Sequence, residues 1–266
     1  MSRAADAQMI RTLHAEWTKL RTVAGPGALL LTAIALTAAV GAAAANAVSC
    51  PGQLCQVDPA KVSLTGIYLG QAVVAIVAVT AVCGEYSTGM IRLTLAATPR
   101  RWQVLAAKAA VVGAATLAAG AVAVLASALA GGLLLTRHGI DPAHGYEALS
   151  LGQGAVLRAT AGSVLYLGLI ALLGLGVAAM IRDSAVAIGT VLGLLYLFPI
   201  VTGFISNPDL QRHLDQVSPM TAGLYIQATT NLSTLPLTPW QGLGVLALWA
   251  AGALLAGGLL LRFRDA

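Results

Sequence analysis

The sequence contains few residues whose type and spacing could perform catalysis. Ser163 follows Gly162, but the second glycine of a G-x-S-x-G nucleophile motif is missing, and no apolar segment carries a histidine to activate the hydroxyl. Gly84 and Gly89 have the glycine spacing of a phosphate-binding loop, yet Met90 follows where a Walker motif requires lysine. The zinc motif H-E-x-x-H is not found either. We therefore predict that the chain is not an enzyme, has no cofactor of its own and does not bind ATP through a Walker motif.

The histidines and cysteines do not form a metal-binding pattern. His138 and His144 stand six residues apart in a polar stretch, where a metal site, a pH sensor or simple solvated loop histidines are the alternatives. Cys50 and Cys55 share a segment with a Pro-Gly turn, and we expect a disulfide between them if the compartment is oxidising. Cys83 is expected to be a buried free thiol.

The composition is that of a membrane protein. The chain is 58% hydrophobic and 9% charged, whereas soluble domains carry about 25% charged residues. Its apolar residues fall into six blocks, each long enough to cross a hydrocarbon core of about 30 Å as a helix. We predict an all-α polytopic membrane protein that forms one domain over residues 1–266. The expected spans are Pro26–Val48, Leu64–Cys83, Val104–Leu135, Ala159–Ile181, Ala185–Ile205 and Trp240–Leu261.

The distribution of basic residues predicts the orientation of these spans. With both termini in the cytoplasm, only Lys61, Arg137, Arg158 and Arg212 of the 15 basic residues lie outside. This asymmetry agrees with the enrichment of Lys and Arg in cytoplasmic loops. A cleaved signal sequence is the alternative for the first block, but its apolar run exceeds the 7–15 residues of a usual signal core.

An amphipathic helix is predicted ahead of the first span, over residues 8–22. Its apolar residues lie within one stripe at helical spacing, and they are Met9, Ile10, Leu13, Trp17 and Leu20. Together with Glu16 and Lys19, this pattern is typical of a helix at the membrane interface, with Trp17 at headgroup depth. A simple lipid anchor and a surface that contacts a partner protein are both consistent with it.

The segment between the second and third spans is the most informative part of the sequence. Glu85 stands where the second span ends, and a short apolar helix is predicted over Met90–Ala97, between a glycine and a Thr-Pro break. Basic residues give the segment a predicted positive surface, and they are Arg92, Arg100, Arg101 and Lys108. A loop whose charges only fix the topology is one interpretation. The other is a docking surface, because an exposed apolar helix requires something to cover it.

Two further patterns concern helix starts and helix contacts. Asn207-Pro208 and Ser218-Pro219 each place a capping residue before proline, which predicts two short outer helices between the fifth and sixth spans. Gly189 and Gly193 are four residues apart, as in close helix contacts within a membrane. Packing within the chain and contact with a second copy both remain open for them.

These features together resemble the permease subunits of ABC-2 type ABC transporters, of the short type common in actinobacteria. The resemblance lies in the stretch Glu16-Trp17-Thr18-Lys19-Leu20-Arg21-Thr22, in Gly84-Glu85-Tyr86-Ser87-Thr88-Gly89-Met90, and in the later Thr98-Pro99-Arg100-Arg101-Trp102 and Lys108. The pair Thr88-Gly89 stands in the reverse of the commoner order. The six predicted spans extend the resemblance over the whole chain.

The resemblance implies an exporter subunit in a bacterial plasma membrane, working as a pair with two copies of a separate ATPase that binds ATP and Mg²⁺. Residues 90–97 would form the coupling helix. The expected contacts with the ATPase are Glu85, Met90, Arg92, Leu93, Arg100 and Arg101. The sequence does not identify the cargo. An intramembrane enzyme and a membrane anchor without a transport role are the alternatives. No nucleic-acid partner is expected, because the basic residues lie at the ends of the apolar blocks and do not form one patch.

Overall fold

A computed structural model describes residues 2–48, 57–97, 101–137 and 152–263 of the protein. Within these ranges the chain is helical and contains no strand. The α-helices are α1 (Ser2–Thr22), α2 (Ala24–Ala47), α3 (Pro59–Ser63), α4 (Ile67–Ser87), α5 (Met90–Ala97), α6 (Arg101–Arg137), α7 (Gly154–Ile181), α8 (Ser184–Thr202), α9 (Pro208–Val217), α10 (Pro219–Leu224) and α11 (Pro239–Phe263). The segments Tyr225–Gln227 and Leu232–Thr234 form single turns of 3-10 helix.

Six of the described helices are long and apolar enough to cross a membrane, and they are α2, α4, α6, α7, α8 and α11. The protein is therefore an all-α polytopic membrane protein, as the composition predicted. Helix α4 continues to Ser87, four residues beyond the predicted end of the second span. This extension places Glu85 inside the last turn of the helix, where neighbouring helices surround it.

Contacts between residues that are distant in the sequence define one end of the bundle. Arg101 at the start of α6 donates a hydrogen bond to the carbonyl of Leu261 near the end of α11 (2.9 Å). Lys108 in the next turns of α6 lies 3.0 Å from the carbonyl of Ala81 near the end of α4. We call this the α5 end, since α5 follows α4 there. The opposite, α9 end contains α3, α9 and α10.

Helix α7 lies at the centre of the bundle and packs against α4, α6, α8 and α11. Its side chains of Tyr166, Ile170 and Leu173 are completely buried. A close approach to α11 depends on two small residues, because a Cβ atom on Gly176 would lie 2.4 Å from the backbone of Ala253. Small residues allow helices to approach closely when the apolar lipid gives no drive for association.

The turn between α7 and α8 is short and capped on both sides. Arg182 ends α7 in the left-handed conformation, with φ of 66°. Asp183 then caps α8, since its side chain accepts a hydrogen bond from the amide of Val186 (2.9 Å). This connection keeps the two long helices antiparallel at the α5 end.

The two short helices predicted between the fifth and sixth spans are confirmed as α9 and α10. The side chain of Asn207 accepts hydrogen bonds from the amides of Asp209 (3.0 Å) and Leu210 (3.3 Å). The hydroxyl of Ser218 accepts a hydrogen bond from the amide of Thr221 (3.2 Å). Capping followed by proline therefore starts both helices, as the sequence indicated.

Helix α3 was not predicted, and hydrogen bonds to Asp58 hold it at the α9 end. Asp58 caps it through the amide of Lys61 (3.1 Å). The same carboxylate also accepts hydrogen bonds from the amide (2.6 Å) and hydroxyl (2.7 Å) of Thr229 and from the amide of Thr230 (3.2 Å). One side chain thus connects α3 to the segment between α10 and α11.

Candidate functional site

Four charged side chains from three helices meet at the α5 end of the bundle. We call Glu16 and Lys19 of α1, Glu85 of α4 and Lys108 of α6 the charged cluster. Nζ of Lys108 lies 2.7 Å from Oε2 of Glu16 and 2.9 Å from Oε1 of Glu85. Nζ of Lys19 lies 2.8 Å from Oε1 of Glu16 and 2.7 Å from Oε1 of Glu85. The cluster alternates in sign, and its formal charges cancel.

The charged cluster is buried, so its carboxylates and ammonium groups require partners of opposite charge. The side chains of Lys108 and Glu85 are each 6% exposed, and that of Glu16 is 5% exposed. An unpaired charge in such a place would lose its hydration without compensation. Lys19 differs, because 33% of its side chain remains exposed. Lys19 is therefore the member of the cluster that faces water.

The surroundings of Lys19 favour its charged form. Burial lowers the pKa of Lys19, but hydrogen bonds and attraction from the Glu16 and Glu85 carboxylates outweigh burial, so that its pKa is raised above the ordinary 10.5. Lys19 thus stays protonated across the physiological range. The ion pairs between α1 and α4 are accordingly permanent near neutral pH.

Helix α1 docks on the bundle through polar residues rather than lying free at an interface. Thr12 and Glu16 are buried, and Leu20 of the predicted apolar stripe packs against the core. Ile10 and Trp17 remain exposed on the other side, so part of the stripe is available for lipid. The predicted stripe is therefore divided, because the need to pair Glu16 orients the helix.

Helix α5 begins after Gly89, which has φ of 71°, and its bounds agree with the predicted Met90–Ala97. Ile91 is buried, whereas Met90 is 43% exposed and Leu93 is 74% exposed. The hydroxyl of Thr94 lies 3.5 Å from Nζ of Lys19. The short helix therefore presents an apolar surface outward and contacts the charged cluster through its inner side.

Two spaces border the charged cluster. An open groove of about 810 Å³ lies between α1 and α5, and its walls include Arg11, Met90 and Leu93. A more enclosed cavity of about 340 Å³ borders all four side chains of the cluster and is otherwise lined mainly by residues of α1, α2, α4, α5 and α6. Oε2 of Glu85 is buried and has no hydrogen-bond partner within the described part of the chain.

The described residues among those expected to contact an ATPase, Glu85, Met90, Leu93 and Arg101, do not form one surface. Met90 and Leu93 are exposed on α5, whereas Glu85 is engaged in the charged cluster. Arg101 is half-buried and donates to α11. The side chain of Arg92, all of Arg100, and the cysteines of the expected disulfide, Cys50 and Cys55, lie outside the described residues. Cys83 is a buried free thiol, as predicted.

The prediction that Lys108 lies on a positive surface is wrong. This lysine is buried between two carboxylates, so its charge is neutralised inside the bundle. A sequence signal was present, since a lysine one to two turns inside an apolar helix requires a partner. Its partners could not be identified in advance, because Glu16 is 92 positions away along the chain.

Sequence reasoning also missed a buried polar contact near the α9 end. The hydroxyl of Tyr166 donates to the side-chain oxygen of Gln71, and the amide nitrogen of Gln71 lies 3.2 Å from the sulfur of Met220. Gln71 and Tyr166 are completely buried. This contact joins α4, α7 and α10, and the isolated positions of these residues in apolar segments gave no indication of the pairing.

Metal chemistry finds no support in the described residues. Among them, no group of three or more His, Cys, Asp or Glu side chains could hold a metal ion.

Comparison of the chain with protein-family models and with curated proteins finds no match. A functional conclusion therefore depends on the six spans, the exposed helix α5 and the charged cluster.

Proposed function

We propose that this chain is the membrane-spanning permease subunit of an ATP-driven ABC exporter of the ABC-2 type. In this proposal the chain works as a dimer and is coupled to a separate ATPase through the cytoplasmic segment of residues 84–103. ATP and Mg²⁺ bind to the ATPase and not to this chain. The membrane is the bacterial plasma membrane, and both termini of the chain are cytoplasmic.

The observation that carries the proposal is the position of α5 relative to the charged cluster. Helix α5 is outside the six spans, exposes Met90 and Leu93, and contacts Lys19 through Thr94. Lys19 in turn pairs with Glu16 and Glu85. A force applied to the exposed surface of α5 therefore reaches α1 and the end of α4 through direct contacts.

The charged cluster suits mechanical coupling because its connections resist separation. Lys108 extends the connection from Glu16 and Glu85 to α6. Separating these buried charges would leave at least one of them unpaired, which costs about 3–5 kcal/mol. Rotation of α5 by a partner would therefore move α1, α4 and α6 together. Rigid-body motion of this kind is a recurring route to alternating access.

The groove between α1 and α5 provides a surface for the ATPase. Its apolar residues Met90 and Leu93 and the charged Arg11 match the usual anatomy of an interface, an apolar centre with a polar rim. On the predicted orientation the groove faces the cytoplasm, where ATP is available. A membrane anchor without a transport role would have no use for an exposed apolar helix linked to the bundle.

The exposed side of α8 supports a second copy of the chain. Among the described residues, Gly189 and Gly193 have nothing within 4 Å of their hypothetical Cβ positions, so they make no close contact with that part of the chain. Val186 and Leu197 are exposed on the same helix. A stripe of this kind suits close contact with another helix in the membrane.

The apolar spans favour a hydrophobic or amphipathic cargo.

The proposal is tested by searching the reading frames beside this gene for a Walker-motif ATPase and by co-expressing the full chain with the ATPase found there. We expect the two to purify together, and Leu93→Asp to reduce the association more than thirtyfold, since a central apolar contact is worth about 2 kcal/mol or more. Leu210→Asp is the matched control, because Leu210 is half exposed on α9 at the other end. Deletion of residues 90–97 should abolish the association.

The alternatives predict different results. An intramembrane enzyme or a passive anchor would purify without any ATPase, and Leu93→Asp would then behave like Leu210→Asp. Either result would overturn the proposal. Membrane insertion is measured in parallel for each variant, so that a folding defect is distinguished from a loss of association.

A further inference from the structure

A second groove lies at the α5 end of the bundle. It runs between the first turns of α6 and the last turns of α11, and we call it the α6–α11 groove. Its volume is about 930 Å³, and both arginines and apolar residues line it. We propose that it binds one anionic phospholipid of the cytoplasmic leaflet, with the phosphate at Arg262.

The positive charges of the groove lie at its outer rim. Arg262 is exposed in the last turn of α11. Arg101 is half-buried, and its hydrogen bond to the carbonyl of Leu261 holds its guanidinium beside the end of α11. No acidic residue is among the described residues that line the groove. The exposed guanidinium of Arg262 therefore favours an anion at the rim, and guanidinium groups match phosphate oxygens in geometry.

The deeper walls of the groove are apolar. Leu255 is 69% exposed and Leu259 is 55% exposed on α11, and Ala109 of α6 lies opposite. Gly258 keeps the space between them open, because the nearest atom to its hypothetical Cβ is 3.6 Å away on Leu105. Exposed leucines beside a basic rim suit an acyl chain below a headgroup.

The depth of the groove agrees with the dimensions of a lipid. Leu255 precedes Arg262 by two turns of helix, which corresponds to about 10 Å along the axis. The groove thus extends from headgroup depth into the hydrocarbon. Trp102 is 60% exposed at the rim, where tryptophan side chains prefer to lie in membranes. Basic pockets between helices on the cytoplasmic side are a known type of site for anionic headgroups.

Free phosphate is the other source of the same anion chemistry. A soluble anion would need only the guanidinium of Arg262, and the exposed apolar walls would contribute nothing to its binding. A lipid uses both parts of the groove. Competition between the two sources distinguishes them, because inorganic phosphate should leave lipid occupancy unchanged if the acyl chain contributes.

Fluorescence of Trp102 provides the test. The full chain, with Trp17, Trp240 and Trp249 changed to Phe, is placed in vesicles of equimolar phosphatidylcholine and phosphatidylglycerol, and one of the two lipids carries brominated acyl chains. We expect stronger quenching by brominated phosphatidylglycerol than by brominated phosphatidylcholine. Arg262→Gln should reduce this preference about fivefold, the contribution of one basic residue near an anionic lipid, and Arg262→Lys should retain most of it.

A second tryptophan serves as the matched control. Trp240 is 56% exposed at the other end of α11, and a chain with Trp240 as its single tryptophan should be quenched equally by both lipids. Mass spectrometry of the unmodified chain, with lipids bound, checks the result without the tryptophan changes. Equal quenching of Trp102 by the two lipids, an unchanged preference in Arg262→Gln, or displacement of lipid by inorganic phosphate would overturn the proposal.

Discussion

Nζ of Lys108 lies 2.7 Å from Oε2 of Glu16, although 92 positions separate the two residues in the sequence. This contact joins the helix that precedes the first span to the third span. With Glu85 and Lys19 it forms a buried, charge-balanced cluster beneath the exposed helix α5. The arrangement explains why a charged residue is tolerated inside an apolar helix, and it yields separate predictions for stability and for coupling.

Removal of the central cation should be strongly destabilising. In Lys108→Met, Glu16 and Glu85 retain only the partly exposed Lys19, and loss of one partner from a buried ion pair costs about 3–5 kcal/mol. Thermal unfolding in detergent measures the effect. Lys61→Met, at an exposed position of α3, should unfold like the wild type. Addition of Glu85→Gln to Lys108→Met should restore part of the lost stability. If Lys108→Met unfolded at the same temperature as Lys61→Met, the stabilising role of the cluster would be contradicted.

The contribution of Lys19 should disappear only at high pH. Its pKa in the folded protein is raised above the ordinary value of 10.5, so its stabilising effect is complete below that value and is lost as the pH rises through the folded pKa. The stability difference between wild type and Lys19→Met should therefore be constant from neutral pH to about 10.5 and fall above it. A difference that already declined near neutral pH would contradict this account.

Two glycines of α11 should respond differently to the same substitution. A Cβ atom on Gly257 would lie 2.8 Å from the carbonyl oxygen of Gly176, whereas Gly252 has nothing within 4 Å. Gly257→Ala should destabilise by about 1–3 kcal/mol, as overpacking usually does. Gly252→Ala should be neutral or slightly stabilising, since alanine favours helix. Thermal unfolding of the two variants checks this, and an equal response would mean that α7 and α11 are not in close contact.

The link between α3 and the segment after α10 depends on Asp58. In Asp58→Ala the amides of Thr229 and Thr230 lose their acceptor. Hydrogen bonds to a charged group contribute about 1.5 kcal/mol or more, so the two amides should exchange with solvent about tenfold faster. Hydrogen exchange followed by mass spectrometry measures this. Asp209→Ala, on exposed α9, serves as the control and should leave the exchange of both amides unchanged.

The second copy should contact the exposed face of α8. Gly193 has open space around it within the chain, so Gly193→Leu should leave the fold of one copy intact and weaken the contact between copies. Chemical cross-linking of the full chain in membranes gives the fraction of dimer. Gly244→Leu, at an equally open position of α11, should leave that fraction unchanged. Dimer formation that is insensitive to Gly193→Leu would place the contact elsewhere.

The parts of the fold that depend on local sequence could be predicted. Apolar blocks determine the spans, and Gly89 starts α5 because it adopts positive φ without strain. Asn207 and Ser218 start α9 and α10 through short-range capping bonds. In each case the deciding interaction lies within a few residues of the element, so that the sequence pattern contains it.

The parts that depend on distant contacts could not be predicted. Lys108 was predicted to lie on a positive surface and Glu85 at an interface, and only the packing of α4 against α6 and α1 brings them together. Helix α3 is too short to give a periodic signal, although Asp58-Pro59 has the capping pattern that starts α9 and α10. The contacts of Asp58 with Thr229 and Thr230 could not be predicted, because 171 and 172 positions separate these residues. The orientation of α1 likewise follows from the pairing of Glu16 rather than from the apolar stripe.

Photo-cross-linking from α5 tests the central claim most directly. A benzophenone amino acid at Leu93, which is 74% exposed, is compared with the same amino acid at Leu210, with the Walker-motif ATPase co-expressed in the native membrane. The proposal predicts a cross-link between position 93 and the ATPase, and none from position 210. Absence of a cross-link from position 93, or equal cross-linking from both positions, would contradict coupling through α5.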